Sequence, residues 1–208
     1  MAAQWLVSSP SPGAGQVDLA AVAALLEAPR SAEPGRALLD FVNGIAPVEY
    51  LSVVAYGADE PQLLEGHARR GAPRNATHDC WRRYRQGRFW RHDALVRLAR
   101  RVHAEGREAA APVVGLHLSA QDLPHAPWRE QIYEPEQLSE RFTLLYAGAP
   151  RQVLGLNFYR CRAQGGFAPQ ELERLLAVAP LLRQAHRLAL GAAERGDDLA
   201  ARVARAAE

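Results

Sequence analysis

The sequence predicts an α+β domain in which one mostly antiparallel sheet is sandwiched between helices. Three observations lead there. Five stretches alternate apolar and polar residues with the two-residue period of a half-buried strand, others carry the stripe of an amphipathic helix, and the links between strands are too short for repeated βαβ crossovers. With 208 residues, 48% of them apolar, the chain suits one domain with a sizeable core and arms at its ends.

Residues 1–16 end in the turn-rich run SSPSPGAGQ (8–16) and are expected to be a flexible arm, with the folded domain spanning 17–191. Asp18 can cap a helix carrying Leu19, Val22 and Leu26 that stops before Pro29. A second helix, with Leu38, Phe41, Val42 and Ile45, stops before Pro47. VEYLSVVAYG (48–57) reads as a strand with Leu51, Val53 and Ala55 on one face and Tyr50, Ser52 and Val54 on the other, and QLLEGHARRG (62–71) pairs with it as a hairpin. Residues 77–86 and 93–104 read as helices. APVVGLHLS (111–119) is a third strand with Val113 and His117 on one face, and PWREQIYEPEQL (127–138) is a short helix. The last two strands run Arg141–Tyr146 and Gln152–Arg162, the latter alternating Leu154, Leu156 and Phe158 against Gly155, Asn157 and Tyr159. After Gly165 and Gly166 the period becomes helical. Pro169 suits the first helical position, Leu172, Leu175, Leu176, Ala179 and Leu182 form the stripe, and Pro180 is expected to bend the helix. Residues 192–208 continue as an Ala-rich linker helix in which Leu199 and Val203 have nothing after them within the chain to pack on.

Several chemistries are excluded by composition. All 25 basic residues are Arg, so no Schiff base, phosphate-loop lysine or Ser-Lys dyad can be built. The net charge of +2 points to no particular partner, and the Arg69/Arg70, Arg82/Arg83 and Arg100/Arg101 pairs read as solvated helix faces in preference to nucleic-acid contacts. Cys80 and Cys161 make no disulfide framework, and no signal peptide or apolar run long enough for a bilayer is present. A soluble, cytoplasmic protein without membrane association is the expectation. There is no GxSxG, HExxH, Cys-x-x-Cys or phosphate loop. His78 and Asp79 adjoin Cys80 on a helix where neighbours point apart, and the seven histidines are scattered without metal-ligand spacing. No catalysis, metal or cofactor is expected.

Recognition chemistry is better represented. In CWRRYRQGRFWRHDALV (80–96), Trp81 and Tyr84 lie one helical turn apart, Trp90 follows the Gly87 break, and Asp93 can cap the next helix. Trp128 and Tyr133 belong to a second covering segment. Across the polar sheet face, Tyr50, Ser52, His117, Thr143 and Asn157 are expected in phase, a mixture costly to bury unless hydrogen-bonded or solvated. Aromatic walls over a polar floor suit a small organic effector. The competing reading is a collapsed core with Trp81 packed against Trp128 and Asp93 merely a cap.

DLPHAPWREQIYEP (122–135), LSERFTLLY, LGLNFYR and GGFAPQELERLLAVAPLL together resemble the GAF-like sensor domain of bacterial LuxR-type transcriptional regulators, over most of residues 18–190. The resemblance implies a GAF-like five-stranded antiparallel sheet flanked by helices, a pocket between sheet and middle helices, and a C-terminal helix-turn-helix with no counterpart in these 208 residues. Acyl-homoserine-lactone receptors of that wider family carry Trp, Tyr and then Asp-Pro in their pocket helices. Trp81, Tyr84 and Asp93 are similar in order, although Ala94 replaces the Pro and the Trp-to-Tyr spacing is short. The implied function is a ligand-sensing, homodimerising regulatory domain that reaches DNA only through a helix-turn-helix outside the chain. The alternative is a stand-alone or degenerate GAF-like protein-interaction module without a ligand.

Overall fold

The computed structural model describes residues 3–7, 18–30, 33–57, 59–104, 113–148 and 152–206. Among them six strands form one sheet in the order β1-β4-β5-β6-β2-β3, with every neighbouring pair antiparallel. The strands are β1 (Ala3–Val7), β2 (Tyr50–Tyr56), β3 (Gln62–Ala68), β4 (Val113–Ser119), β5 (Leu138–Ala147) and β6 (Val153–Cys161). The helices are α1 (Leu19–Glu27), α2 (Pro34–Asn43), α3 (Thr77–Gln86), α4 (Ala94–Ala104), the single turn α5 (Ala126–Trp128) and α6 (Pro169–Ala206).

The α+β sandwich is as expected, with one strand more than five. Ala3–Val7, assigned from sequence to the flexible arm, is a strand on the β4 edge, where Trp5 lies 6.4 Å from the Phe142 ring. Five residues with two-fold alternation are too short a signal alone; β4 supplies the hydrogen bonds and Phe142 the apolar contact that hold them. Residues 8–16 of the expected arm lie outside the described residues.

Local chemistry explains the helix boundaries. Asp18 Oδ1 accepts from the Ala20 amide at 2.9 Å and starts α1, and Pro34 occupies the first turn of α2, where its missing N–H is not needed. α6 continues through Pro180 to Ala206 as one helix, across the boundary at 191/192 expected from sequence.

Alternation along the strands separates two interiors. Leu51, Val53, Phe142, Leu144, Leu154, Leu156 and Phe158 are buried beneath α1, α2 and α6, against Leu175, Ala179 and Leu182. Each such Leu or Phe contributes about 1.5–3 kcal/mol on burial. On the opposite face α4 lays Leu95, Leu98 and Ala99 over Val54, Leu116 and Leu145, while α3 and α5 cover the sheet around Tyr50 and Leu138. The second interior contains the polar groups.

Candidate ligand cavity

Asp93 is placed by a sharp turn. α3 stops at Gly87, Arg88 takes a left-handed conformation with φ 50°, and a 3₁₀ turn (Phe89–Arg91) returns the chain so that Asp93 caps α4 through Leu95 N–H to Oδ1 at 2.9 Å. The carboxylate thereby falls beneath α3, where the Tyr84 hydroxyl donates to Oδ2 at 3.0 Å. From β5, Arg141 reaches the same group with both terminal nitrogens, Nη1 to Oδ2 and Nη2 to Oδ1, each at 2.8 Å. The four hydrogen bonds use the roughly four lone-pair directions of a carboxylate. Both partners are buried. Burial alone would raise the Asp93 pKa, but the Arg141 guanidinium and the hydrogen bonds hold it below the ordinary carboxylate range. Burial likewise disfavours the Arg141 cation, and Asp93 more than reverses this.

The walls are aromatic. Trp81 and Tyr84 stack with ring centroids 5.3 Å apart, Tyr84 tilts against Trp128 at 5.6 Å, and Tyr133 meets Trp128 edge-on at 6.1 Å. Tyr84 thus stands between the two tryptophans that the collapsed-core reading would have placed ring to ring. The Arg141 guanidinium lies 5.6 Å over the Trp128 ring. After α5 the chain makes a π-helical turn, Arg129–Tyr133, closed by Glu134 N–H to Arg129 O at 2.9 Å; it buries Ile132 and Tyr133 against the cavity. Such turns are rare and frequent at functional sites.

The floor comes from β2 and β6: Tyr50, Ser52, Val54, Tyr56, Asn157 and Tyr159. Asn157 is pinned by its own hydrogen bonds, accepting from the Thr143 hydroxyl at 2.9 Å and donating to Ser52 O at 3.2 Å. A Cβ on Gly155 would come within 2.7 Å of the Tyr56 ring, so only glycine lets that ring lie over the sheet here. The cavity volume is about 60 Å³ on the measure in which one water needs about 10–15 Å³. Burial pushes the Tyr50 phenol up to about 12 and raises Tyr56, Tyr84 and Tyr159 as well, so the lining phenols are neutral. Burial also pushes the Cys80 thiol up to about 12, which keeps it a protonated wall atom.

Of the residues singled out from sequence, Trp81, Tyr84, Asp93, Trp128, Tyr133, Tyr50, Ser52 and Asn157 line this cavity. Three do not. His117 pairs across the sheet with Phe142, placing it on the α6 face, where it bonds Glu140 at 2.9 Å and meets Phe167 edge-on; Leu116 is in phase with Thr143 instead. Alternation within a strand cannot set the register between strands, and a one-residue offset changes the face. Trp90 follows the left-handed Arg88, so the helical phase of Trp81 and Tyr84 does not carry over. It lines an outer groove with Arg82, Arg88 and Arg91. Thr143 shares the polar face but lies beneath Asn157 as a support. Arg141, Tyr56 and Tyr159 were not singled out, although two-residue alternation puts them in phase with Thr143, Ser52 and Asn157. An Arg at a strand's start reads as solvated, and only the fold brings Asp93 to it.

No family model matches the sequence, and no curated protein sequence matches it. Solved structures do. The VqsR ligand-binding domain from Pseudomonas aeruginosa superposes with a TM-score of 0.58 at 14% identity, covering 85% of this chain and 97% of that one. CepR2 from Burkholderia cenocepacia, an N-acylhomoserine lactone dependent LuxR family transcription factor, superposes with a TM-score of 0.60 at 14% identity, covering 85% and 98%. The fold is that of the LuxR-type ligand-binding domains. Among the described residues no helix is long and apolar enough to cross a membrane, and no cluster of His, Cys, Asp and Glu could hold a metal ion.

Proposed function

We propose that this domain is the effector-sensing, dimerising regulatory domain of a LuxR-type transcription factor, and that a small organic molecule binds in the cavity between the sheet, α3, α5 and the turn that carries Asp93. The observation that carries this reading is the buried Asp93–Arg141 pair at the base of an aromatic-walled cavity. A buried ion pair adds little stability compared with an apolar substitute of the same shape, so a recognition role accounts for it better than packing does. Recognition is favoured over catalysis because the acceptor sites of Asp93 are filled and the Cys80 thiol stays protonated, leaving neither as a free base or nucleophile.

The mechanism is linkage. An effector preferring one arrangement of α3 and α4 would bias the sheet, and through it α6, whose C-terminal end would lead toward a DNA-binding helix-turn-helix. Dimerisation would use α1 and α6, where Leu19 (82% exposed), Leu26 and Leu188 offer apolar surface. Sedimentation showing a monomer at high micromolar concentration would remove the dimer.

Solvent extraction of the purified protein and mass spectrometry of the released small molecules test the sensing role. A retained molecule that raises the melting temperature when added back, and whose retention drops in Trp81→Ala, supports it. A protein that retains nothing, and gains no stability from cell extracts, behaves as the ligand-free interaction module.

A further inference from the structure

The outer groove beside Trp90 shares one wall with the inner cavity, because the Trp81 indole lines both. It holds about 730 Å³, against about 60 Å³ inside, and its polar groups are mostly of one kind. Arg82 and Arg85 come from α3, Arg88 from the left-handed turn and Arg91 from the 3₁₀ turn, so the sharp return of the chain gathers four guanidinium groups along one groove. Among the described residues Glu60 is the one carboxylate in the lining. The whole chain is close to neutral, with 25 basic and 23 acidic residues, so this is a local accumulation of positive charge.

Half of these cations are already used. Arg82 pairs with Asp79, and Arg85 Nε donates to Glu60 Oε1 at 3.0 Å. Arg88 and Arg91 are exposed and have no carboxylate partner among the described residues. Arg91 is nevertheless held in place. Its Cζ lies 5.2 Å from the centroid of the Trp90 ring, and Arg100 Cζ, from α4, lies 5.7 Å from the same centroid. A guanidinium over an aromatic ring keeps the N–H donors of its own plane free for an oxyanion. The Trp90 indole N–H is a further donor without a partner among the described residues. Donors therefore outnumber acceptors along the groove.

Such a surface calls for carboxylates or phosphates, and the rings decide between them. Single-stranded nucleic acid is held by bases stacked on open aromatic faces, but here Trp90 carries two guanidinium groups and Trp81 stacks on Tyr84 at 5.3 Å. The chain itself displays a fitting occupant. In the β2–β3 connection, Asp59-Glu60-Pro61 lies beside Trp81 and Arg85 at one end of the groove, an irregular acidic segment received by a guanidinium. We propose that the rest of the groove docks an acidic, extended segment of a partner protein, with its carboxylates on Arg88 and Arg91 and its apolar side chains against the half-exposed Trp81 and Trp90. This docking surface is separate from the effector-sensing reading and stands whether or not the inner cavity is filled.

Fluorescence anisotropy with labelled probes tests this. The probes are a peptide of glutamates interspersed with leucines, the same peptide with glutamine in place of glutamate, and an oligothymidylate of the same net charge as the acidic peptide. The acidic peptide is expected to bind the wild-type chain more tightly than either of the others, and to weaken as salt is raised. Arg88→Gln/Arg91→Gln is expected to weaken it about 5- to 10-fold, while Arg162→Gln/Arg174→Gln, which removes the same charge from exposed positions outside the groove, leaves it within about 2-fold. Arg91→Gln alone spares the left-handed residue, so it carries the test if the double variant fails to fold, with an expected loss of about 3-fold. Equal losses in the two double variants mean that net charge alone is read, and overturn the docking site. An oligothymidylate that binds more tightly than the acidic peptide overturns the protein partner, and an acidic peptide that does not bind the wild-type chain overturns the proposal outright.

Discussion

The two faces of the sheet are made by the same strands, yet they differ in kind. Beneath α6 the side chains are mostly Leu, Val and Phe, with one buried polar contact between Tyr146 and His186; at the margin Arg160 reaches Pro47 O, Gly166 O and Glu171 and ties down the loop into α6. Beneath α3, α4 and α5 the same strands present Ser52, Asn157, Arg141 and three tyrosines to a space that the covering helices leave partly unfilled. An apolar face closes on itself because any close packing satisfies it. A polar face needs particular partners and retains a cavity where one is missing. One face holds the domain together and the other can bind.

The largest effect should come from breaking the apolar face. Phe158→Ala is expected to cost about 3–5 kcal/mol, whereas Trp81→Ala, on the half-exposed cavity wall, should cost about half as much or less. Urea unfolding of both variants checks this; equal losses would mean that the cavity wall is as much core as the α6 face.

The ion pair sharpens the contrast. Asp93→Asn strands a buried guanidinium and is expected to lose about 3 kcal/mol or more, while the double variant Asp93→Asn/Arg141→Met should recover most of it. If the double variant is as unstable as the single, the pair is structural cement and the recognition argument weakens.

The faces should also respond to different pH ranges. His186 is buried on the inner face of α6 itself, bonded through Nδ1 to the Tyr146 hydroxyl, and burial lowers its pKa despite the opposing pull of Glu65. Its neutral form is therefore favoured by folding. Between the unfolded pKa of about 6.5 and the lower folded value, the unfolded chain binds more protons, so stability falls as pH drops below about 6.5. Asp93, whose folded pKa is also lowered, contributes stability that is complete above about pH 4 and is lost as pH falls further. Urea melts between pH 7.5 and 5 should show a slope that His186→Gln removes and Asp93→Asn does not. A slope surviving in His186→Gln assigns it elsewhere.

The smallest effect is at the turn that delivers Asp93. Arg88 holds φ 50°, a conformation that glycine adopts without strain, and Arg88→Gly is expected to stabilise by about 0.5–1 kcal/mol. Destabilisation would mean that the Arg88 side chain holds the turn itself.

Most elements were legible because each rests on local chemistry. The cap at Asp18, the punctuation by Pro29, Pro47 and Gly165, and the alternation of Leu154, Leu156 and Phe158 against Asn157 and Tyr159 are properties of short segments, and they located every strand except β1. The aromatic cluster of the site was legible for the same reason, since Trp81 and Tyr84 share one helix and Trp128 and Tyr133 one short segment. What the sequence by itself determined was the fold class, the apolar face and which segments cover the polar one. Only the tertiary structure decided which residues meet. Sheet register put Leu116 rather than His117 beside Thr143, the left-handed Arg88 moved Trp90 out of the cavity lining into a neighbouring groove, and the approach of the α4 N-terminus to β5 joined Asp93 to Arg141 across 48 residues. Periodicity reports the phase of a residue within its own element, while a site is made by the phase between elements. That phase is set by the collective packing of the whole core.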